Sequence, residues 1–172
     1  MSPAEAFRHC PRCGQPHPHP GAEPFRCAAC EFLFYFNPAS AAGAILQGVD
    51  GRVLLVRRAK DPHKGKLTIP GGFIDMGEEA EAALRREIRE EVGLTITRLD
   101  YLCSQPNQYH YQEVTYSVLD LFFFGQAPAQ TAVAEPGEVA EICWLSLSEI
   151  NLEEIAFTSV REALRRFIAA RG

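Results

Sequence analysis

The sequence lacks an apolar run long enough to cross a bilayer, an apolar stretch near its N-terminus, and an excess of positive charge. A membrane-spanning helix needs about 20 apolar residues, and the apolar segment around residues 121–124 is much shorter. A secretory signal would also need an apolar segment near the start, so we expect a cytoplasmic protein with no membrane contact. With a formal net charge of −5 at pH 7, nucleic acid is disfavoured as the main partner.

Internal repeats are absent too, which excludes repeat architectures. The 172 residues, 47% hydrophobic and 23% charged, suit one main globular domain with a small addition. We place a small unit over residues 1–38 and the main domain over residues 39–172. The small unit has few aliphatic residues, so an ordinary hydrophobic core is not expected there. Arg8, Arg12 and Arg26 are its only cations besides histidine, which disfavours a nucleic-acid role for this unit.

Two Cys-x-x-Cys motifs lie in the small unit, Cys10 with Cys13 and Cys27 with Cys30. Each motif places two thiolates on one ion, and two motifs complete a tetrahedral zinc site. Two disulfides or redox-active pairs are the alternatives. Zinc is favoured because both halves are present and a cytoplasmic protein rarely carries disulfides. A closed set of four thiolates leaves no open position, so this zinc would be structural and would supply folding free energy.

Residues 79–92 predict a helix because they contain no proline or glycine and are rich in good helix formers. Gly93 is a typical helix stop. Residues three and four apart share a helix face, which brings together Glu87, Glu90 and Glu91. These like charges repel, but a cation such as Mg²⁺, which carboxylates and substrate phosphates hold together, would reverse that effect. A solvated acidic face is the alternative interpretation.

The segment before this helix adds a second signal. Pro70-Gly71-Gly72 permits backbone conformations and close approaches that a side chain would block. Glu78 and Arg86 have opposite charges, so they can join the loop to the helix. The order is Gly72, five residues, Glu78, seven residues, Arg86-Glu87, then Glu90-Glu91 and Gly93 at the spacing of the Nudix box. Every defined position of that box is filled, so the chain resembles the Nudix hydrolases.

This resemblance implies an α/β fold: an α/β/α sandwich with a mixed sheet, preceded here by the zinc ribbon. It also implies Mg²⁺- or Mn²⁺-dependent hydrolysis of a nucleoside diphosphate linked to another group. The implied metal ligands are Glu87, Glu90 and Glu91 with the Gly71 carbonyl. Glu78 and Arg86 are assigned to holding the loop against the helix, and a box glutamate to acting as the base. The resemblance is compatible with a homodimer.

A glutamate six residues before a tryptophan contributes to the metal site in related zinc-bearing Nudix enzymes. Glu138 has that position relative to Trp144, and Glu141 is the neighbouring candidate. An ordinary acidic residue at a loop end is the alternative for Glu138.

Ser104-Gln105-Pro106, which is separated from Gly93 by ten residues, resembles the NADH pyrophosphatase branch of the family. That branch continues with Trp-Pro-Phe-Pro, whereas this chain has Tyr109 and Tyr111 in the following segment. NADH, NAD⁺, ADP-ribose and FAD therefore all stay candidate substrates. We group Gln105 and Gly72 with the substrate-binding residues, and either tyrosine can stack on a base. A tyrosine-rich strand entrance is the alternative.

Arg57 and Arg58 end a predicted strand just before the glycine loop, so either can reach a phosphate; a solvated strand end is the alternative. Further predicted elements are a hairpin over 41–58, strands over 95–103, 114–125 and 138–145, a helical turn over 146–150 and a last helix. That helix is predicted to start near Thr158 or Ser159, with a capping box of Ser159 and Glu162. A different function class stays open: a Nudix fold that senses a nucleotide without hydrolysing it. Loss of box carboxylates would favour that class, and none is lost.

Overall fold

The structure is a computed structural model that describes residues 1–129 and 131–171. The chain forms two compact units. The first contains Met1–Ala39 and Gln108–Val118, and the second contains Ser40–Asn107 and the chain from Leu119 onward. The boundary that we place after residue 38 stays a prediction. Within the described ranges, no helix combines the length and apolarity that crossing a membrane requires.

The first unit is built around phenylalanine rather than aliphatic side chains. It contains a short helix, α1 (Pro3–Ala6), and an antiparallel pair of two-residue strands, β1 (Phe25–Arg26) and β2 (Leu33–Phe34). Phe25 is buried with two of the cysteines, Cys10 and Cys27. Partly buried rings pack around them: Phe7, Phe32 and Phe36. The aromatic rings thus supply the apolar contacts of this unit, which has few aliphatic residues.

Most of a seven-stranded sheet, with two main helices, organises the second unit; the sheet residues within Gln108–Val118 and Ala39 belong to the first. The strands are β3 (Ala39–Gln47), β4 (Val53–Arg58), β5 (Leu67–Thr68), β6 (Gly71–Phe73), β7 (Asp100–Tyr111), β8 (Val114–Gln126) and β9 (Val139–Leu145). The helices are α2 (Ala80–Val92), a 3₁₀ helix (Leu152–Glu154) and α3 (Thr158–Ala169). The order in the sheet is β5-β4-β3-β8-β7, with β6 paired to β3 and β9 paired to β4. The predicted hairpin over 41–58 is confirmed as β3 and β4, with Leu46 opposite Leu54.

The sheet separates two apolar cores because successive side chains of a strand point to opposite faces. One core contains α2 with Leu46, Leu54 and Val56 of the strands. The other contains α3 with Ile45, Val53 and Leu55. The inward side of α2 is completely buried at Leu84, Ile88 and Val92. Full burial of such side chains contributes about 1.5–3 kcal/mol each, so the apolar stripe holds α2, and with it the glutamate face, firmly on the sheet.

The strand predicted over 95–103 is wrong in its position. Residues 94–99 have no regular secondary structure, and β7 begins only at Asp100. Leu94 and Ile96 alternate with exposed residues because they fill the core beside α2, not because they belong to a sheet. Arg85 donates to the carbonyl oxygens of Ile96 and Thr97 at 3.2 and 3.3 Å. A side chain thereby satisfies backbone groups that a neighbouring strand would otherwise satisfy.

The predicted capping box at the last helix is also wrong. The helix α3 is capped by Phe157, and no side chain makes a cap hydrogen bond. The Ser159 hydroxyl instead donates to Asp120 Oδ2 at 2.5 Å, and Glu162 pairs with Arg165. Ser159 and Asp120 are both buried, at 1% and 8% exposure. A buried carboxylate needs a donor, and this need decides where the serine points.

The helical turn predicted over 146–150 is a single hydrogen-bonded turn. The Glu149 N–H donates to the Ser146 carbonyl at 3.0 Å. Regular 3₁₀ geometry appears only afterwards, over Leu152–Glu154. The strand predicted over 138–145 is confirmed as β9, and the one predicted over 114–125 as β8.

Candidate active site and metal centres

Gly71 joins the glycine loop to α2, the helix that carries the box glutamates. Its N–H donates to Glu91 Oε2 at 2.9 Å. The φ of Gly71 is +146°, and a Cβ built there would lie 2.1 Å from the Ala42 carbonyl oxygen. Only glycine fits this backbone position, so the sequence places Glu91 by a backbone contact that no other residue would permit.

Gly72 makes room for a second carboxylate. A Cβ at this position would lie 2.5–2.8 Å from the carboxyl atoms of Glu87. The backbone of Gly72 is held in the sheet opposite Ala42 of β3. The Glu87 carboxylate therefore lies directly against β6, in space that a side chain would fill. The close approach expected for the glycine loop is thus present at both Gly71 and Gly72.

Arg86 connects the loop to the helix, as the charge pattern predicts. It donates to both oxygens of Glu78, at 3.1 and 2.9 Å, and to Glu87 Oε1 at 2.7 Å. Longer contacts reach Glu90 Oε2 at 3.4 Å and the Phe73 carbonyl at 3.3 Å. The guanidinium lowers the pKa of Glu78, since a neighbouring cation favours the ionised carboxylate. One arginine therefore organises three of the box carboxylates.

Burial disfavours the ionised forms of the two inner glutamates, Glu87 and Glu91. The pKa of Glu91 is raised to about 8, chiefly by burial and also by the charges of Glu87 and Glu138. The hydrogen bond from the Gly71 N–H and the charge of Arg58 act in the opposite direction. Burial also raises the pKa of Glu87, against the charge of Arg86. A bound cation would stabilise the ionised forms of both groups. Carboxylate oxygens are the donors that Mg²⁺ and related hard cations take, so the chemistry of these glutamate side chains suits such an ion.

Glu138 lies at the end of the loop between β8 and β9. Its Oε1 lies 2.7 Å from Lys60 Nζ. The loop is tied to α2, because the Glu135 N–H donates to the Glu91 carbonyl at 3.0 Å and the Val133 N–H to the Val92 carbonyl at 2.9 Å. Sequence patterns did not point to Lys60. The available signal was that all three lysines of the chain fall between positions 60 and 66.

The two candidate phosphate-binding arginines differ in their surroundings. Arg57 Nε donates to Glu141 Oε2 at 2.8 Å, and its NH1 donates to the Gly65 carbonyl at 3.0 Å. Arg58 Nε donates to the Pro62 carbonyl at 2.7 Å, and its guanidinium lies 5.1 Å from the centre of the Phe157 ring. The charge of Arg58 also acts on Glu91. Glu141 is therefore committed to Arg57, and a phosphate contact by either arginine stays a prediction.

The remaining candidate substrate residues all lie on β7. Gln105 is half-buried and belongs to the second unit. Tyr109 and Tyr111 lie further along the same strand, in the segment that belongs to the first unit, and Tyr111 is 51% exposed. Tyr109 lies within β7, and Tyr111 is its last residue, separated from the start of β8 by a turn of two residues. Their contact with a nucleotide base stays a prediction.

The four predicted cysteine ligands form one cluster in the first unit. The sulfurs of Cys10, Cys13, Cys27 and Cys30 all lie within 4.8 Å of one another. Cys10 and Cys30 are 3.7 Å apart, and Cys13 and Cys27 are 3.6 Å apart. A Zn–S bond of about 2.3 Å puts the sulfurs of a tetrahedral site about 3.8 Å apart. The sulfurs thus fit one zinc ion, and none of the four is in a disulfide.

Comparison with known proteins supports the resemblance to the Nudix hydrolases. A sequence model of the NUDIX domain matches residues 37–167. The chain is 31% identical over 163 residues to the NAD-capped RNA hydrolase NudC of Deinococcus radiodurans, covering 92% of this chain and 56% of that protein. It is 33% identical over 148 residues to the human mitochondrial NAD(P)H pyrophosphatase NUDT13, covering 85% of this chain and 40% of that protein. The chain thus spans about half the length of these curated relatives.

A solved structure agrees with these matches. The crystal structure of a MutT NUDIX hydrolase from Burkholderia pseudomallei superposes with a TM-score of 0.64 at 27% identity. The match covers 76% of this chain and 98% of that one. It confirms the predicted α/β/α sandwich with a mixed sheet.

Proposed function

Because the chain belongs to the Nudix family, we propose that it hydrolyses the pyrophosphate bond of a nucleoside diphosphate derivative and releases a nucleoside monophosphate. One observation carries this proposal: Glu87 and Glu91 meet the glycine loop at Gly72 and Gly71, so the acidic face of α2 is preorganised. A solvated acidic face would not need glycine at both contact points. The alternative interpretation, in which Glu87, Glu90 and Glu91 form only a solvated acidic face, is therefore disfavoured.

Glu87, Glu90 and Glu91 would hold Mg²⁺ or Mn²⁺, with the Gly71 carbonyl and Glu138 as further ligands. When bound, the cation would stabilise charge on the phosphate oxygens and lower the pKa of a coordinated water. The protein itself would position the metal ligands and supply the base. Arg86 fixes Glu78 and Glu87, Gly71 fixes Glu91, and one box glutamate accepts the proton of the attacking water.

The substrate class that we favour is a dinucleotide with an adenosine on one side of the pyrophosphate. The relatives described above act, by name, on NAD(P)H and on NAD-capped RNA. NADH, NAD⁺, ADP-ribose and FAD share the pyrophosphate that the box glutamates would engage. Arg57, Arg58, Gly72, Gln105, Tyr109 and Tyr111 stay the candidate substrate contacts. Free nucleic acid is not expected as a partner, so a capped RNA would be recognised through its dinucleotide end.

A substrate panel tests this proposal. The protein is incubated with Mg²⁺ or Mn²⁺ and NADH, NAD⁺, ADP-ribose, FAD, a nucleoside triphosphate or an NAD-capped oligonucleotide, and the products are identified by chromatography. We expect a nucleoside monophosphate from at least one dinucleotide and no product without the metal. Glu91→Gln should lower turnover by orders of magnitude, whereas Glu81→Gln, on the exposed side of the same helix, should not. Tight nucleotide binding without any product would instead support a nucleotide-sensing module.

The four-cysteine cluster is proposed to hold a structural zinc ion. Four thiolates complete a tetrahedral site, so this ion has no open position for a substrate. A cytoplasmic location and a homodimer are proposals that fit the family resemblance. Elemental analysis and light scattering on one purified sample would check the zinc content and the oligomeric state.

A further inference from the structure

Lys60 lies against the carboxylate that would complete the metal site. Its Nζ is 2.7 Å from Glu138 Oε1. The backbones beside the two side chains are also joined, since the Ala59 N–H donates to the Glu138 carbonyl at 2.9 Å. Arg58 and Val139, next to this contact, pair in the antiparallel ladder of β4 and β9. Strand pairing therefore brings Lys60 and Glu138 together, although 78 positions separate them.

Glu138 is linked to the acidic face of α2. Its N–H donates to the Glu135 carbonyl at 3.1 Å, and the Glu135 N–H donates to the Glu91 carbonyl at 3.0 Å. Lys60 thus neutralises one member of the carboxylate group that a divalent cation would occupy.

We propose that Lys60 changes partner during the reaction: it holds the Glu138 carboxylate in the free protein, releases it to the divalent cation, and then contacts a substrate phosphate. This inference rests on the proposed function. The pair can separate easily because Lys60 and Glu138 side chains are 60% and 51% exposed, and exposed pairs change an equilibrium by only about two- to fivefold. Lysine suits this exchange because its ammonium is a point charge on a flexible chain and a common phosphate ligand.

The other lysines of the same loop differ from Lys60 in their contacts. Lys66 Nζ lies 3.4 Å from Glu154 Oε1 and donates to the Glu153 carbonyl at 3.3 Å. Lys64 is exposed and makes no hydrogen bond or ion pair within the part of the chain that the structure describes. Lys64→Met therefore removes the same charge from the same loop without touching Glu138. It is the matched control for Lys60→Met.

Two measurements on the full-length, zinc-containing protein test the exchange. The first is Mn²⁺ binding without nucleotide, followed by the electron paramagnetic resonance signal of free Mn²⁺. Lys60→Met should bind Mn²⁺ about two- to fivefold more tightly than the wild type, and Lys64→Met should bind it like the wild type. The second is steady-state hydrolysis of the preferred dinucleotide at saturating Mn²⁺. Lys60→Met should raise KM about tenfold with little change in kcat, and Lys60→Arg should restore KM.

Lys60→Met should thus bind Mn²⁺ more tightly but bind the dinucleotide more weakly, and this combination identifies the exchange of partners by Lys60. Mn²⁺ binding by Lys60→Met that is unchanged or weaker would overturn the proposal, and so would an unchanged KM. Thermal unfolding of each variant verifies that it is folded. Failure of the proposed function would look different: Glu91→Gln would bind Mn²⁺ as the wild type does, and the wild type itself would hydrolyse no dinucleotide.

Discussion

Arg86 and Glu78 form a two-point contact across the Nudix box, with Nε to Oε1 at 3.1 Å and NH2 to Oε2 at 2.9 Å. Such parallel hydrogen bonds set direction as well as distance. Because the same guanidinium also reaches Glu87 at 2.7 Å, the position of one proposed metal ligand depends on the loop residue Glu78.

Replacing Arg86 by lysine tests this dependence. Lysine keeps the charge but cannot make the two parallel bonds, so we expect the free energy of unfolding to fall by about 1–3 kcal/mol. Turnover should fall by up to about 100-fold, because a small displacement of Glu87 misplaces the reacting groups. Chemical denaturation and steady-state kinetics measure the two effects. The control is Arg89→Lys, on the exposed side of α2; equal effects of both variants would contradict the assigned role of Arg86.

Gly72→Ala tests the close approach of Glu87. The added Cβ would lie 2.5–2.8 Å from the Glu87 carboxyl, and such overlap costs about 1–3 kcal/mol of stability. The carboxylate must move away, so activity should fall as well. The free energy of unfolding and the turnover number are the quantities to measure.

A double-mutant cycle isolates this contact. In a Glu87→Ala background the atoms that the new Cβ meets are gone, so Gly72→Ala should cost much less stability there. The same cost in both backgrounds would show that the alanine strains the backbone and not the carboxylate.

Removal of one zinc ligand should act on the first unit. Cys13→Ser leaves three thiolates, so we expect loss of the bound zinc and unfolding of residues 1–39, whose folding free energy the metal would supply. Elemental analysis and limited proteolysis of this segment check the result. Cys143→Ala, which lies outside the cluster, should retain one zinc per chain; a resistant N-terminal segment in zinc-free Cys13→Ser would refute the structural role.

The buried Asp120 predicts a pH dependence of stability. Burial raises the pKa of its carboxyl, against hydrogen bonds from Ser159 and Asn107. The folded state therefore holds this proton more tightly than the unfolded state does. Its contribution is most favourable below the ordinary pKa of 3.8 and declines as the pH rises through the raised value.

Asp120→Asn should abolish this decline, since asparagine can accept the Ser159 hydrogen bond without ionising. The difference in the free energy of unfolding, variant minus wild type, should therefore increase as the pH rises from the ordinary carboxyl range through the raised pKa. Denaturation of both proteins in the same buffers measures it. A difference that stays constant with pH would show that Asp120 titrates normally in the folded state.

Local patterns predicted the parts of the site that lie close together in sequence. The helix over 79–92, its stop at Gly93, the pairing of Glu78 with Arg86 and the four-cysteine cluster all follow from short spacings, because a helix turn or a metal motif fixes which neighbours meet. The alternation at residues 94–99 misled the strand prediction, since buried side chains of an irregular segment can alternate as a strand does.

Contacts between distant positions could not be predicted in the same way. Ser159 meets Asp120 across 39 positions, Lys60 meets Glu138 across 78, and Arg57 meets Glu141 across 84. Each pairs a polar side chain with a charge that only the assembled sheet brings near. For Ser159, a buried carboxylate prevailed over the local capping preference, because leaving a buried charge without a donor costs more than losing a helix cap.

By itself, the sequence determined the glutamate-bearing helix, the glycine loop beside it and the cysteine set, since spacing along the chain already dictates which of these groups share a helix face or a cluster. Only the tertiary structure decided which cations pair with the glutamates outside the box: Arg57 is held by Glu141, and Lys60 holds Glu138. Charge pairing depends on distances of a few ångströms, and strand order in the sheet sets those distances.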